Sequence, residues 1–253
     1  MAADTTGAFN ELYQRETVLG GFPLDIVPWD IQAPQPAVVA LERAERMTGP
    51  VLDVGCGLGE NALFLAARGY RVTGVDAAAS AIRQAQELAC ARGLDIEFAV
   101  ADATELRDAN GMADRDFGTV LDSALYHCLS QPQRERYLLA LHQVCRPGAR
   151  LHLLCVSDRA PTVFPAPYRI SQDNIRRTLG DRWRVLDIQP DTFTTAFTQK
   201  YLDRQTTRGK FPPVDTSGLA HDERGRILLP IWRVEAMRAP DPERSSGHPP
   251  PVS

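Results

Sequence analysis

Three glycines and two carboxylates set the chemistry this sequence can offer. The segment Val51-Leu52-Asp53-Val54-Gly55-Cys56-Gly57-Leu58-Gly59 leaves a short apolar run and enters a helical pattern that opens at Glu60. That is the strand-to-helix setting in which a glycine loop receives a nucleoside. Glycine tolerates positive φ and has no Cβ, so a ligand can approach the backbone closely. The next apolar run ends at Asp76, where a carboxylate can accept both hydroxyls of a ribose. The spacing here is Gly-x-Gly-x-Gly, preceded by an acid. A dinucleotide loop instead reads Gly-x-Gly-x-x-Gly and seats a pyrophosphate on the helix N-terminus. Glu60, in that first turn, would repel a pyrophosphate but not a sulfonium zwitterion.

The elements that must position these residues alternate regularly. Strands are expected at Val51–Val54, Arg71–Val75, Ile96–Val100, Phe117–Leu121 and Leu151–Val156, with helices at Glu60–Arg68, Ala79–Arg92 and Gln133–Val144. Gly69, Gly93 and Arg146-Pro147-Gly148 punctuate them. Repeated β-α-β units give a parallel sheet with helices on both faces, and short apolar strands such as Thr119-Val120-Leu121 suit burial on both sides. A cap at Ser171-Gln172-Asp173-Asn174 leads to a helix at Ile175–Leu179. Late strands at Trp183–Ile188 and Ile227–Met237 complete an α/β, Rossmann-like, seven-stranded, mostly parallel, doubly wound sheet. Between them Thr192–Leu219 is too long for a simple connection and is therefore functional or mobile.

Ahead of the sheet, Phe9, Leu12 and Tyr13 share one stripe of a short helix over Phe9–Arg15. The segment Pro23-Leu24-Asp25-Ile26-Val27-Pro28-Trp29-Asp30-Ile31-Gln32 and then Pro34 and Pro36 must be rigid and extended. Residues 1–36 thus read as an N-terminal helical lid segment and residues 37–238 as the main domain, opening with a helix over Ala37–Met47. Residues 239–253, rich in Pro and Ser, read as a disordered tail.

Composition narrows the function further. The chain of 253 residues carries a net charge of −4, which gives no reason to expect a nucleic acid as partner. No stretch approaches the ~20 apolar residues of a membrane helix, and the N-terminus lacks the basic and apolar regions of a signal peptide. The five cysteines (Cys56, Cys90, Cys128, Cys145, Cys155) are scattered and odd in number, against a disulfide framework or a zinc site. They read as small buried hydrophobes of a cytoplasmic protein. No ligand cluster for a metal is present.

With these motifs in hand, the sequence resembles the class I S-adenosylmethionine-dependent methyltransferases over roughly Trp29 to Val156. The family's glycine motif falls on Asp53, Gly55, Gly57 and Gly59, and its ribose acid on Asp76, followed by Ala77. Its adenine-edge acid falls on Asp102 in Val100-Ala101-Asp102-Ala103-Thr104, and its fourth-strand motif on Leu121-Asp122-Ser123. The turn before the fifth strand is Arg146-Pro147-Gly148-Ala149, with Ala149 where a second Gly is commoner. The resemblance implies that S-adenosylmethionine is the cofactor and S-adenosylhomocysteine the product. It also implies that Asp53 serves the methionine amino group and that Asp102 and the Ala103 backbone bind adenine. The Pro-Trp-Asp-Ile segment and Leu121-Asp122-Ser123-Ala124-Leu125-Tyr126-His127 look like the bacterial group that methylates heterocyclic toxins, quinolones and phenols, itself similar to thiopurine methyltransferases. In that group the tryptophan, here Trp29, lies over the cofactor and the N-terminal region acts as a lid.

Plainer roles compete for several of these residues. The glycines could form only a tight turn, Asp102 could cap a helix before Thr104, Asp30 could cap a turn, and Trp29 could be a core anchor. His127, just past the fourth strand, could take a proton from an acceptor or merely bond to backbone; Tyr126 stands beside it as a catalytic or pocket residue. Tyr126, Phe164, Tyr168, Phe193 and Phe197 are candidates for a wall around a flat acceptor, although most such residues are core. The expected activity is methyl transfer to an O or N nucleophile of a small aromatic or heteroaromatic molecule, without metal. A nicotinamide-dependent oxidoreductase or a non-catalytic S-adenosylmethionine-binding protein are the alternatives.

Overall fold

The computed structural model describes residues 17–19, 22–108, 112, 115–162, 164, 166–210 and 212–240, the residues before 25 by their backbone only. The expected helix over Phe9–Arg15 and most of the expected tail lie outside the described residues. The chain enters through a hairpin, β1 (Thr17–Leu19) antiparallel to β2 (Phe22–Leu24). The described part of the segment expected as a helical lid is therefore strand and extended chain, and the prolines at 23, 28, 34 and 36 explain why. Helix α1 (Pro36–Arg43) follows, with Pro36 in its first turn.

From β3 (Val51–Val54) the alternation is as expected: α2 (Glu60–Ala66), β4 (Val72–Asp76), α3 (Ala79–Ala91), β5 (Glu97–Val100), β6 (Phe117–Ser123), α4 (Gln131–Val144) and β7 (Cys145–Val156). Helix α5 (Gln172–Leu179) starts at Ser171, whose side chain accepts the Asn174 N–H. Strand β8 (Trp183–Thr198), helix α6 (Gln199–Thr207), the two-residue β9 (Ala220–His221) and β10 (Arg226–Arg238) close the chain. The sheet runs β5-β4-β3-β6-β7-β10-β8, with β9 pairing β10 off that path. Its first five members are parallel, while β10 is antiparallel to both β7 and β8. This is the seven-strand, mostly parallel order expected, with one small addition.

Alternate residues of the central strands feed two cores. Leu52, Val120, Leu151 and Leu153 pack with Tyr137, Leu141 and Ile175 from α4 and α5. Val51, Leu121, Leu154 and Ile231 pack with Val38, Leu63 and Ile82 from α1, α2 and α3. Period-2 alternation makes adjacent strand residues serve opposite layers, so Asp53 faces the first three helices and Asp122 faces α4.

The strand expected at Trp183–Ile188 runs further than its pattern suggests: Thr192–Thr198 continues β8, and Gln199–Thr207 is α6. Pro190, opposite Trp232 in the ladder, masks this continuity in the sequence. Because β8 is the sheet's edge, the missing N–H of Pro190 is tolerated there.

Candidate active site

The carboxyl ends of the parallel strands open into two adjoining chambers of about 190 and about 50 Å³. Trp29, Gly55, Ser123 and Phe193 line both. The smaller chamber is floored by the glycine loop from Gly55 to Gly59, with Glu60 and Asn61. Gly55 has φ +70°, and a Cβ there would come within 2.8 Å of the Leu125 Cβ. Gly59, with φ +81°, is the residue before α2, and a Cβ would meet the Phe98 ring at 2.8 Å. Both positions need glycine for the turn and for packing as well as for any ligand.

Asp76 ties the loop together. One carboxylate oxygen accepts the Gly57 N–H at 2.9 Å and the other the Ala78 N–H at 2.8 Å. Burial pushes this carboxyl up while those backbone donors pull it down. Asp53 lies beneath, fully buried, and among the described residues neither of its oxygens is within hydrogen-bond geometry of a partner. Burial, then Asp122, then Asp76, raise it to about 7. An orphaned carboxylate between two other acids calls for a cation. Ser123 adds a second unpartnered polar group, its Oγ, where the chambers meet.

The rim of the larger chamber carries Asp76, Ala77, Asp102 and Ala103. Asp102 is exposed, and its Oδ1 accepts both the N–H and the Oγ1–H of Thr104 at 2.8 Å. The capping role and a place at the cavity are thus both realised, and one Asp102 oxygen has no bond within the turn. Deeper in, the wall is apolar: Leu154, Val156, Phe164, Phe197, Leu229 and Ile231. His127 and Thr195 are among its few polar members.

These chambers are what a family match would have to explain. Residues 51–148 match the model of a methyltransferase domain. A 2-heptyl-1-hydroxyquinolin-4(1H)-one methyltransferase of Mycobacteroides abscessus is 37% identical over 166 residues, 64% of this chain and 71% of that protein. The chain is a class I S-adenosylmethionine-dependent methyltransferase. A solved structure from work on the conversion of a disulfide bond into a thioacetal group during echinomycin biosynthesis superposes on this methyltransferase with TM-score 0.72 and 32% identity, over 95% of each chain. The 1,6-didemethyltoxoflavin-N1-methyltransferase of Burkholderia thailandensis, solved with its heterocyclic ligand and S-adenosylhomocysteine, shares the fold at TM-score 0.55 and 17% identity, over 81% of this chain and 77% of that one.

The residues fit the cofactor of this methyltransferase on three counts: the buried orphan Asp53, the glycine cradle, and the carboxylates of Asp76 and Asp102 along one rim. When bound, S-adenosylmethionine supplies a methyl group activated by its sulfonium. Glu60, which argued against a pyrophosphate, forms a two-pronged ion pair with Arg92 at 2.7 and 2.9 Å, so it also anchors α2 to α3.

Four candidate residues of the sequence line neither chamber: Asp53, buried beneath the glycine loop, and Tyr126, Tyr168 and Asp122. Tyr126 is fully buried within the α4–α5 core and does not line either chamber, because the short helical turn Tyr126–Cys128 carries it to the opposite side from His127. Tyr168 is 43% exposed, its ring against the Arg134 guanidinium at 4.9 Å and outside the cavity. Asp122 is buried away from the chambers. It accepts the Tyr137 hydroxyl at 2.8 Å and the N–H groups of Leu125 and Tyr126 at 2.8 and 3.2 Å. Those bonds hold a sharp turn in which Ala124 has φ +87°, a strained conformation for a residue with a Cβ. Asp122 therefore shapes the turn that presents Ser123 and His127 to the cavity and does not itself line either chamber.

Sequence reading missed Thr195, Leu229 and Ile231 as wall residues. A signal existed for the first: Phe193, Thr195 and Phe197 alternate along β8 and all face the cavity.

Proposed function

We propose that this methyltransferase moves a methyl group onto an oxygen or nitrogen of a small aromatic or heteroaromatic molecule. The observation that carries the reading is the apolar, aromatic chamber joined to the glycine-loop chamber at Trp29, Ser123 and Phe193. Flat rings gain about 0.5–1.5 kcal/mol from each offset or edge-on contact with walls such as Phe164 and Phe197. The named activities of the quinolone and toxoflavin methyltransferases, both acting on heterocycles, support it. In this reading Asp53 and Gly55–Gly59 hold the methionine end, Asp76 and Ala77 the ribose, and Asp102 and Ala103 the adenine. Ser123 and Trp29 flank the reacting centre. Alignment of donor and acceptor does most of the work, worth on the order of 7–11 kcal/mol.

The segment 25–35 is the proposed lid. Asp25 accepts the Tyr201 hydroxyl and the Gln205 amide, Ala196 N–H donates to the Pro28 carbonyl at 2.7 Å, and the Gln35 amide pairs with the Thr194 backbone. These bonds seat Trp29 between the chambers, and cofactor should slow hydrogen exchange across residues 25–35. All five cysteines are free thiols, which supports a cytoplasmic setting. The deciding experiment supplies S-adenosylmethionine with a panel of hydroxyquinolones, phenols, heterocyclic amines, RNA and protein, and follows methyl addition by mass spectrometry. Methylation confined to aromatics is expected; methylation confined to RNA or protein would overturn the reading.

A further inference from the structure

We propose that the acceptor binds as its anion, with the Nε2–H of His127 donating to the ionised oxygen and the buried Arg134 positioning His127 and supplying unbalanced positive charge. The inference rests on the aromatic-acceptor reading and fixes the protonation state and the role of the histidine within it.

The geometry of His127 sets its tautomer. The Val156 N–H points at Nδ1 from 3.5 Å, so Nδ1 serves as the acceptor and a neutral ring carries its proton on Nε2. Among the described residues, the ring's hydrogen bond is the one at Nδ1, and His127 lines the larger chamber. The ring is neutral at physiological pH, because burial and then the Arg134 charge push it down to about 3. An imidazole so reluctant to take a proton is a poor general base at neutral pH. It remains a good hydrogen-bond donor, and a donor is what an oxyanion needs.

Arg134 gives the anion its electrostatic counterpart. It is a 4% exposed cation on α4 with no carboxylate in ion-pair contact among the described residues. Its Nε donates to the Tyr126 carbonyl at 3.2 Å, its guanidinium lies over the Tyr126 and Tyr168 rings, and its Nη2 has no partner. The Tyr168 N–H in turn donates to the His127 carbonyl at 3.1 Å. Arg134 thus holds the turn that carries His127 and leaves its charge uncompensated beside it. No other ionisable group around this wall is in ion-pair contact with that charge among the described residues. The Cys128 and Cys155 thiols are pushed up by burial and stay protonated, and Tyr126 is pushed up to about 12. Asp122 is raised to about 7 and engaged by three donors. Asp76 and Asp102 lie on the rim assigned to the cofactor.

The substrate class follows. An acidic hydroxyl on an aromatic or N-hydroxy heteroaromatic ring arrives ionised and needs no proton acceptor from the protein; an aliphatic alcohol would need one. The probe is 4-nitrophenol, whose two ionisation states differ in visible absorbance, titrated against pH in the presence of S-adenosylhomocysteine so that no turnover occurs. Bound to the wild type, its ionisation constant should rise at least tenfold over the free value. His127→Leu should abolish the rise. His127→Gln, which places an amide N–H near the Nε2 position, should restore much of it. A bound probe that stays protonated, or a glutamine variant no better than leucine, overturns the inference while leaving the aromatic reading intact. A turnover panel in which no aromatic is methylated sinks that underlying reading, and is scored separately. Failure of 4-nitrophenol to bind would overturn the anion proposal outright.

Discussion

The cofactor region, formed by the glycine loop and the adjoining rim with Asp76 and Asp102, is made largely of backbone and strand-end carboxylates, whereas the acceptor wall is made of apolar side chains gathered from residues as far apart as Trp29 and Ile231. In the first, a few polar groups each do much: Asp76 alone fixes two backbone N–H groups and leaves lone pairs for a ribose. In the second, affinity is spread over many contacts of similar size. The cofactor half should therefore respond to single substitutions abruptly and the acceptor half gradually. The difference has a physical cause, since buried polar groups lose the full desolvation penalty when a partner goes, while apolar contact falls away in proportion to area.

The largest effect is expected at Asp76. Asp76→Ala strands the Gly57 and Ala78 N–H groups as well as the ribose hydroxyls, at about 1–3 kcal/mol for each unpaired buried group. Affinity for S-adenosylhomocysteine should fall by about a hundredfold or more, with a lower melting temperature, as read by calorimetry and thermal melts. A loss smaller than a few-fold would place the ribose on another residue.

Asp53 sharpens the comparison because stability and binding should move in opposite directions. Its carboxyl is raised from 3.8 to about 7, so between those values the folded protein holds a proton that the unfolded chain has released. The free protein therefore loses stability as pH rises through that window, and the loss is complete above it. Asp53→Asn should raise the melting temperature of the free protein at pH 8 and weaken S-adenosylhomocysteine binding by roughly tenfold, about 1.4 kcal/mol. Wild-type affinity should also strengthen from pH 6 to pH 8 as the carboxylate ionises against the cofactor's ammonium. Parallel melts and calorimetry at the two pH values check both signs, and an unchanged affinity would separate Asp53 from the cofactor.

The smallest effect belongs to the acceptor wall. Phe164 sits 5% exposed, its ring 6.3 Å from that of Phe197. Phe164→Leu keeps most of the apolar area and removes one ring, worth about 0.5–1.5 kcal/mol. The acceptor KM should rise two- to tenfold, with S-adenosylhomocysteine affinity unchanged. If steady-state kinetics instead showed cofactor binding falling with it, the two halves would not be separable.

How much of this was legible beforehand follows the same division. The glycine loop, Asp76, the β-α-β alternation and the cofactor could be read because each is a local pattern: a turn that requires positive φ, an apolar run, a carboxylate at a strand end. Such patterns are imposed by backbone geometry over a few residues, and the chain carries them wherever it goes. Asp122 lay within a readable motif, yet its role was decided by α4, which brings Tyr137 against it. Tyr126 and His127 are neighbours in sequence and were equal candidates. Only the turn they share, and the core that receives the tyrosine, separates them. Arg134 left no sequence signal at all, since one arginine in an amphipathic helix looks like any other until its missing counter-charge is seen. The sequence by itself determined the sheet, the cofactor, and the glycine loop and strand-end acids proposed to cradle it. The tertiary structure alone decided which side chains face the larger chamber and which lie in the core behind it. Burial and charge balance depend on what the rest of the chain brings alongside, and no local pattern encodes them.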